Sequence, residues 1–154
     1  MSSVKSTTPS RRCCTWSRPG SSRARSCAST EVKVQATENI LRGVLDVWKT
    51  GIDAHEPQRV ADVFTADAIF QGLRPYSVGQ QGVFEYYDSQ PAGMTVDYRI
   101  RETRDLADGV VLGYLVADFS FRDRDPIHLN LGVVVTRNDA GWHIAHYQVS
   151  PVQG

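Results

Sequence analysis

Beyond residue 30 the sequence contains no cysteine, since the three cysteines of the chain are Cys13, Cys14 and Cys27. The rest of the chain therefore has neither a disulfide nor a thiol nucleophile. It also has no apolar run near the roughly 18–20 residues that a membrane-spanning helix needs, so we expect a soluble protein with no membrane partner. A body without disulfides suits a reducing compartment, and we expect a cytoplasmic location.

Acidic residues are missing from residues 1–30, which carry six basic side chains: Lys5, Arg11, Arg12, Arg18, Arg23 and Arg25. Removing these six from the 17 basic residues of the chain leaves 11 against 17 acids, so residues 31–154 carry a formal charge of −6. Nucleic-acid binding requires a surplus of Lys and Arg that neutralises phosphates. The acidic body therefore predicts no nucleic-acid partner.

The N-terminal segment is also poor in large aliphatic residues and rich in Ser, Thr and Arg, with Pro9 and Pro19 as helix breakers. Such a segment buries too little apolar surface to offset its ordering entropy. We therefore predict a disordered basic tail over 1–34 and one folded domain over 35–154. Three interpretations of the tail stay open: an extension without function, an organelle transit peptide, or an arm that binds phosphates or membranes.

The first half of the domain has the apolar spacing of helices. Apolar residues recur with the 3.6-residue period of an amphipathic helix at Ile40, Leu41, Val44, Leu45, Trp48 and Ile52, with Thr37 as a candidate N-cap. Pro57 suits the first turn of a second, short helix that carries Val60, Val63 and Phe64. A short strand over 68–72 separates it from a third helix with Val83, Phe84 and Tyr87, which Pro91 stops.

After Gly93 the apolar period becomes two, which predicts strands over 95–103, 110–121, 127–136 and 142–149. Asp108-Gly109 and the sequence from Asn138 to Gly141 are turn signals between them. Helices segregated before an antiparallel meander indicate an α+β domain. We expect three N-terminal helices packed in a strongly curved, mostly antiparallel sheet, a cone-like α+β barrel.

This order, with VFTADAIFQG at 63–72 and RNDAGWHIAHYQVS at 137–150, resembles the nuclear transport factor 2-like superfamily. Within it the sequence is similar to SnoaL-like polyketide cyclases and to the association domain of calcium/calmodulin-dependent kinase. The resemblance implies a bent sheet around a small-molecule cavity and a homodimer formed through the outer face of the sheet. We expect no cofactor.

The resemblance carries few functional residues over. At the positions where ketosteroid isomerases hold a tyrosine and an aspartate, this sequence has Trp48 and Gly72, so it lacks both the phenol and the base. Where SnoaL-like cyclases hold a histidine and an aspartate two residues later, it has His146 and Gln148, so only the histidine matches. An amide cannot accept a proton near neutral pH.

The candidate catalytic residues are His146, whose imidazole exchanges protons near neutral pH, and Asp118, a carboxylate on an otherwise apolar strand face. His146 is also open to a ligand-contact role or a structural role, and Asp118 to a position in water or in an ion pair with Arg99 or Arg101. Candidate substrate-binding residues are Gln148, Tyr114, Trp48 and Tyr76. We expect no metal site, because His143 and His146, three apart on a strand, point to opposite faces.

Two classes of function stay open. The first is a cofactor-independent enzyme, a cyclase, isomerase or hydratase/hydrolase that acts on an apolar oxygenated metabolite by acid/base chemistry. The second is a domain that binds a small ligand, or associates with a second copy, without turnover. The enzyme hypothesis requires that the face of the last strand with His146 and Gln148 points into the cavity.

Overall fold

The computed structural model describes the backbone of residues 23–153 and the side chains of residues 30–153. Its elements follow the order α1 (Arg23–Asp53), α2 (Pro57–Ala61), β1 (Phe64–Gln71), β2 (Ser77–Val78), α3 (Gln80–Asp88), β3 (Thr95–Ala107), β4 (Val110–Ser120), β5 (Ile127–Asn138) and β6 (Gly141–Pro151). The predicted α+β class, with helices preceding an antiparallel meander, is confirmed. The hypotheses on residues 1–22 lie outside the described residues.

Helix α1 begins at Arg23, inside the segment predicted to be a tail. The side chains from 30 to 36 are exposed, and the first buried one is Thr37. Thr37 was expected to cap the helix but lies within it, where its hydroxyl donates to the carbonyl of Lys33 four residues earlier (2.8 Å). From Thr37 onwards the predicted apolar stripe packs on the sheet, with Leu41, Leu45 and Trp48 fully buried.

Two local predictions differ from the structure near α2. The helix ends at Ala61, and Phe64 is the first residue of β1 instead of part of the helical face. The main chain of Val63 accepts a hydrogen bond from the Ile144 N–H (2.8 Å), which joins this segment to β6. Pairing with a neighbouring strand thus decides the conformation of residues whose spacing alone suits a helix.

The six strands form one sheet in the order β2-β1-β6-β5-β4-β3, and the sheet is strongly curved but not closed. Strands β3 to β6 pair antiparallel through hairpins, whereas β1 runs parallel to β6. The short strand β2, which the sequence pattern did not predict, pairs with β1. The helices pack into the concave side, where the core lies. Among the described residues, no helix combines the length and the apolarity needed to cross a membrane.

A β-bulge in β6 decides which side chains face the core. The pairing of β6 with β5 shifts between Val134, opposite His146, and Val135, opposite Ile144, so that Ala145 is the extra residue. The buried residues of β6 are accordingly Ile144, then Tyr147 and Val149. His146 was expected on the face of Ile144, but it lies on the opposite face because the bulge inverts the alternation.

Candidate functional site

A cavity of about 200 Å³ opens at one end of the sheet, beside the C-terminal end of α3. Its walls come from the loop after β1, from α3, from the ends of β4 and β6 and from the start of β5. The lining residues are Leu73, Arg74, Tyr86, Tyr87, Gln90, Met94, Phe119, Phe121, Arg124, Ile127, Leu129, Tyr147 and Val149. An apolar hollow with a few converging polar groups is the usual form of a small-molecule site.

Two phenols form the floor of this cavity, and an indole supports them from beneath. The indole N–H of Trp48 donates to the hydroxyl oxygen of Tyr87 (3.2 Å), and the Tyr147 hydroxyl is also a hydrogen-bonding neighbour of Tyr87. The relative exposures are 0% for Trp48, 3% for Tyr87 and 2% for Tyr147. Because Trp48 and Tyr147 both donate to the Tyr87 oxygen, the Tyr87 proton is left for an oxygen of a bound molecule.

Both phenols stay protonated across the physiological range. Burial raises the pKa of Tyr87 well above its usual value, and hydrogen bonds from Tyr147 and Trp48 offset part of the effect. Burial likewise raises the pKa of Tyr147, and the neighbouring Tyr87 adds to the rise. A neutral phenol in an apolar site donates a hydrogen bond and does not remove a proton.

Aromatic packing fixes the floor in place. The ring of Tyr147 stacks on Phe70 with centroids 4.9 Å apart and an interplanar angle of 16°. Trp48 meets Tyr147 at 6.1 Å and Phe119 at 6.1 Å. Since each ring is held by others, the hydroxyls of the floor have few orientations available and are preorganised for a ligand oxygen.

The mouth of the cavity carries two arginines and an ordered loop. The Arg74 guanidinium donates to the Ser89 hydroxyl (2.9 Å) and lies 5.8 Å from the centroid of the Tyr86 ring. The guanidinium of Arg124 lies 4.8 Å from the centroid of the Phe121 ring. The backbone N–H of Leu73 donates to the Tyr86 hydroxyl (3.3 Å), which ties the loop after β1 to α3.

Gly72, the position that the resemblance associates with a family base, has no room for a side chain. A Cβ atom there would lie 2.6 Å from Cζ of Tyr86. The Tyr86 ring thus occupies the volume into which a carboxylate at this position would project. The base is therefore absent at Gly72, as predicted, and an aromatic ring fills the volume that its side chain would need.

Four of the six predicted site residues lie together on the outer face of the sheet and not in the cavity. His146 and Gln148 border one shallow hollow and Asp118 borders the next, while Tyr114 and Asn130 belong to both. Tyr114 is 43% exposed. The bulge in β6 turns His146 and Gln148 to the convex side, whereas Asp118 and Tyr114 face the same side through the regular alternation of β4.

Asp118 has polar partners on both neighbouring strands. One carboxylate oxygen lies 3.4 Å from the guanidinium of Arg99 on β3, and the other lies 2.5 Å from Nδ1 of His128 on β5. The alternative interpretation of Asp118, a surface ion pair with a β3 arginine, is the arrangement that the structure has.

The two remaining candidates lie apart from each other. Trp48 supports the cavity from beneath through Tyr87, whereas Tyr76 is 66% exposed in the loop before β2 and does not line the cavity. Sequence reasoning missed Tyr147 and both arginines of the mouth. Reading the alternation of β6 backwards from Val149 places Tyr147 on the core face, and this is the signal that finds it.

Neither a protein-family model nor a curated protein matches the chain. Solved structures do match. A cystatin-like-fold domain of unknown function from Nostoc punctiforme superposes with a TM-score of 0.68 at 16% identity, covering 77% of this chain and 79% of that one. A ketosteroid isomerase-like protein from Erwinia carotovora atroseptica gives 0.65 at 17% identity, covering 75% and 96%.

A third similar structure is a calcium/calmodulin-dependent protein kinase II association domain-like protein from Xanthomonas campestris, with a TM-score of 0.64 at 16% identity, covering 88% of this chain and 92% of that one. At such identities the likeness concerns the fold and leaves the activity open. The chain has the cone-shaped α+β fold of the nuclear transport factor 2-like superfamily, as its sequence resemblance implied.

Proposed function

We propose that this protein binds a small apolar molecule with one oxygen function, a carbonyl or hydroxyl, seated against the phenols of the cavity floor. The observation that carries this proposal is the hydrogen bond from the buried Trp48 indole to Tyr87, which orients the Tyr87 hydroxyl at the cavity. The apolar walls bury the body of the ligand, and a hydrogen bond from the phenol offsets the desolvation of the ligand oxygen.

The same geometry limits the chemistry. Neutral phenol donors polarise a carbonyl or stabilise negative charge that develops on its oxygen. Proton abstraction needs a base within hydrogen-bond reach of the ligand, and the candidate base His146 projects from the other face of β6. The cavity thus supports binding and polarisation of an oxygen function. The predicted acid/base role of His146 and Asp118 stays a prediction, and it requires a substrate on the outer face.

A binding and turnover comparison tests the proposal. Hydroxy- and oxo-substituted aromatic compounds, each paired with its hydrocarbon analogue, are titrated calorimetrically into the wild type, Tyr87→Phe and Tyr76→Phe. Loss of one hydrogen bond predicts that Tyr87→Phe weakens the oxygenated compounds about tenfold. The hydrocarbons and the exposed control Tyr76→Phe should show no such change. Equal affinities in wild type and Tyr87→Phe contradict the proposal.

Turnover of the compounds that bind separates the two classes of function. Product formation that Tyr87→Phe slows without a matching change in affinity indicates that the phenol stabilises a transition state. Binding without product in every case supports a ligand-binding domain.

We propose as a second function that the outer face of the sheet binds a second copy of the chain. The supporting observation is the continuous surface of β4, β5 and β6 that carries exposed Tyr114 beside Val116. Sedimentation of wild type, Tyr114→Glu and Tyr76→Glu tests it. We expect a dimer that Tyr114→Glu alone dissociates, because a buried unpaired charge is costly. A wild-type monomer across the concentration range contradicts it.

A further inference from the structure

The charges around the cavity differ in sign from those of the body of the protein. Residues 31–154 carry a formal charge of −6. Among the described lining residues, however, the formally charged side chains are Arg74 and Arg124, both cationic. Guanidinium groups stay protonated at every physiological pH. The charged side chains that line the cavity are therefore both cationic, on a protein whose body is acidic, and they border an apolar hollow.

Arg74 is held in a position where it can receive an anion. Its hydrogen bond to Ser89 and its approach to the Tyr86 ring occupy part of the guanidinium without neutralising its charge. A guanidinium has five N–H donors, so several stay available after these contacts. The ring beneath Arg74 is itself a wall of the cavity, which places the charge beside the ligand volume.

Arg124 is placed in the same manner from the other side. Phe121, another wall residue, supports its guanidinium at 4.8 Å. Its nearest carboxylate is that of the adjacent Asp123, at 3.5 Å from Nε. Both side chains of this pair are largely exposed, and an exposed pair of this length contributes little. A ligand carboxylate can therefore compete for the terminal nitrogens of Arg124.

The dimensions of the cavity restrict the ligand further. The ring centroids of Tyr87 and Tyr86 are 5.2 Å apart, and the Arg74 guanidinium lies 5.8 Å from the Tyr86 centroid, so the Tyr86 ring connects the floor phenol to the guanidinium at the mouth. The volume of about 200 Å³ is below the range of drug-sized sites. A single ring with a short acidic side chain covers this span.

We propose that the ligand is a compact aromatic or alicyclic carboxylate, whose oxygen function meets Tyr87 while its carboxylate meets Arg74 and Arg124. This inference rests on the proposed binding function of the cavity and adds the anionic end of the ligand. Two guanidiniums at the entrance attract the acid, and the phenols at the floor decide its orientation. The neutral ester or amide of the same molecule lacks the first of these contacts.

Matched acids and esters test this directly. Calorimetric titrations use 4-hydroxycinnamate and 4-hydroxybenzoate, their methyl esters, and cinnamate, which lacks the ring hydroxyl. The proteins are the wild type, Arg74→Gln, Arg124→Gln, the double variant, Tyr87→Phe and Arg104→Gln. Arg104 is an exposed arginine of β3 paired with Glu102 and away from the cavity, so it controls for net charge. Circular dichroism of each variant checks its fold.

We expect each acid to bind the wild type about tenfold more tightly than its ester, because charge-assisted hydrogen bonds are the stronger ones. The preference should decrease in each single arginine variant and disappear in the double variant, while the esters keep their affinity and Arg104→Gln keeps the preference. Tyr87→Phe should weaken acids and esters of the hydroxylated ring alike and leave cinnamate unchanged.

The failures of the two proposals are distinct. Acids and esters of equal affinity, both weakened by Tyr87→Phe, overturn the carboxylate inference and leave the binding function in place. If the double variant and Arg104→Gln reduce the preference for acids equally, the preference reflects net charge, and this result also overturns the carboxylate inference. No binding of either acid or ester overturns both proposals.

Discussion

Replacement of Tyr87 by phenylalanine tests whether the floor of the cavity is built as the structure indicates. The substitution removes one hydroxyl and keeps the ring, so the packing against Phe70 and Tyr86 is retained. It leaves the indole N–H of Trp48, which is 0% exposed, without its acceptor. An unsatisfied buried donor costs about 1–3 kcal/mol. We expect the free energy of unfolding to decrease by that amount.

A double-mutant cycle with Trp48→Phe separates this cost from other effects. In the Trp48→Phe background no indole is left to be orphaned, so Tyr87→Phe should cost less there than in the wild type. The difference should be about 1 kcal/mol or more, within the range found for residues in direct contact. Any loss of the Tyr147 contact is common to both backgrounds and cancels.

Urea denaturation followed by far-ultraviolet circular dichroism measures all four proteins of the cycle. Tyr76→Phe serves as the control, since this side chain is 66% exposed and its substitution should change the stability by no more than about 0.5 kcal/mol. If Tyr87→Phe costs the same with and without Trp48, the hydrogen bond does not organise the floor and the reasoning is wrong.

Three further predictions concern helix packing, pH and the outer face. Gly51→Ala should destabilise the protein by about 1–3 kcal/mol in the same urea assay, because its Cβ would lie 2.8 Å from a methyl of Val60 and 3.2 Å from the Val60 backbone nitrogen. In the same helix, a Cβ at Gly43 meets nothing within 4 Å, so Gly43→Ala should stabilise the protein by about 0.5–1 kcal/mol. Because the pKa of Tyr87 is raised in the folded state, the unfolded chain loses this proton first as the pH rises. The contribution of Tyr87 to stability is therefore full below about pH 10 and falls above it by about 1.4 kcal/mol per pH unit. Between pH 9 and 11 the free energy of unfolding should depend less steeply on pH in Tyr87→Phe than in the wild type, and equal dependences would refute the raised pKa. His146→Ala should keep the ligand affinity of the wild type within about twofold, since the side chain projects away from the cavity. A large loss of affinity in calorimetry would indicate that the ligand binds on the outer face of the sheet.

The amino-acid pattern was sufficient for most of the fold because the strongest local signals agree with the tertiary arrangement. The apolar stripe ending near Ile52 gives a helix, and the Asp108-Gly109 turn followed by alternating residues gives a hairpin. Thr37 and Phe64 are two of the exceptions. Each has a local signal for one role, a cap or a helical face, and tertiary packing gives it another.

The predicted domain boundary between 34 and 35 stays a prediction, although α1 begins upstream of it at Arg23. The side chains are exposed through residue 36 and buried positions recur from Thr37, which locates the start of the packed part of the helix.

The sequence by itself determined which residue types are available for chemistry. It has histidine and glutamine on the last strand, glycine and tryptophan where the resemblance places a base and a phenol, and no cysteine beyond residue 30. Only the tertiary structure decided which of them face the cavity. One extra residue in β6 at Ala145 inverts the side-chain alternation, so that Tyr147 turns inward and His146 outward. Pairing with β5 fixes that bulge, and pairing between strands is not encoded in the period of either strand alone.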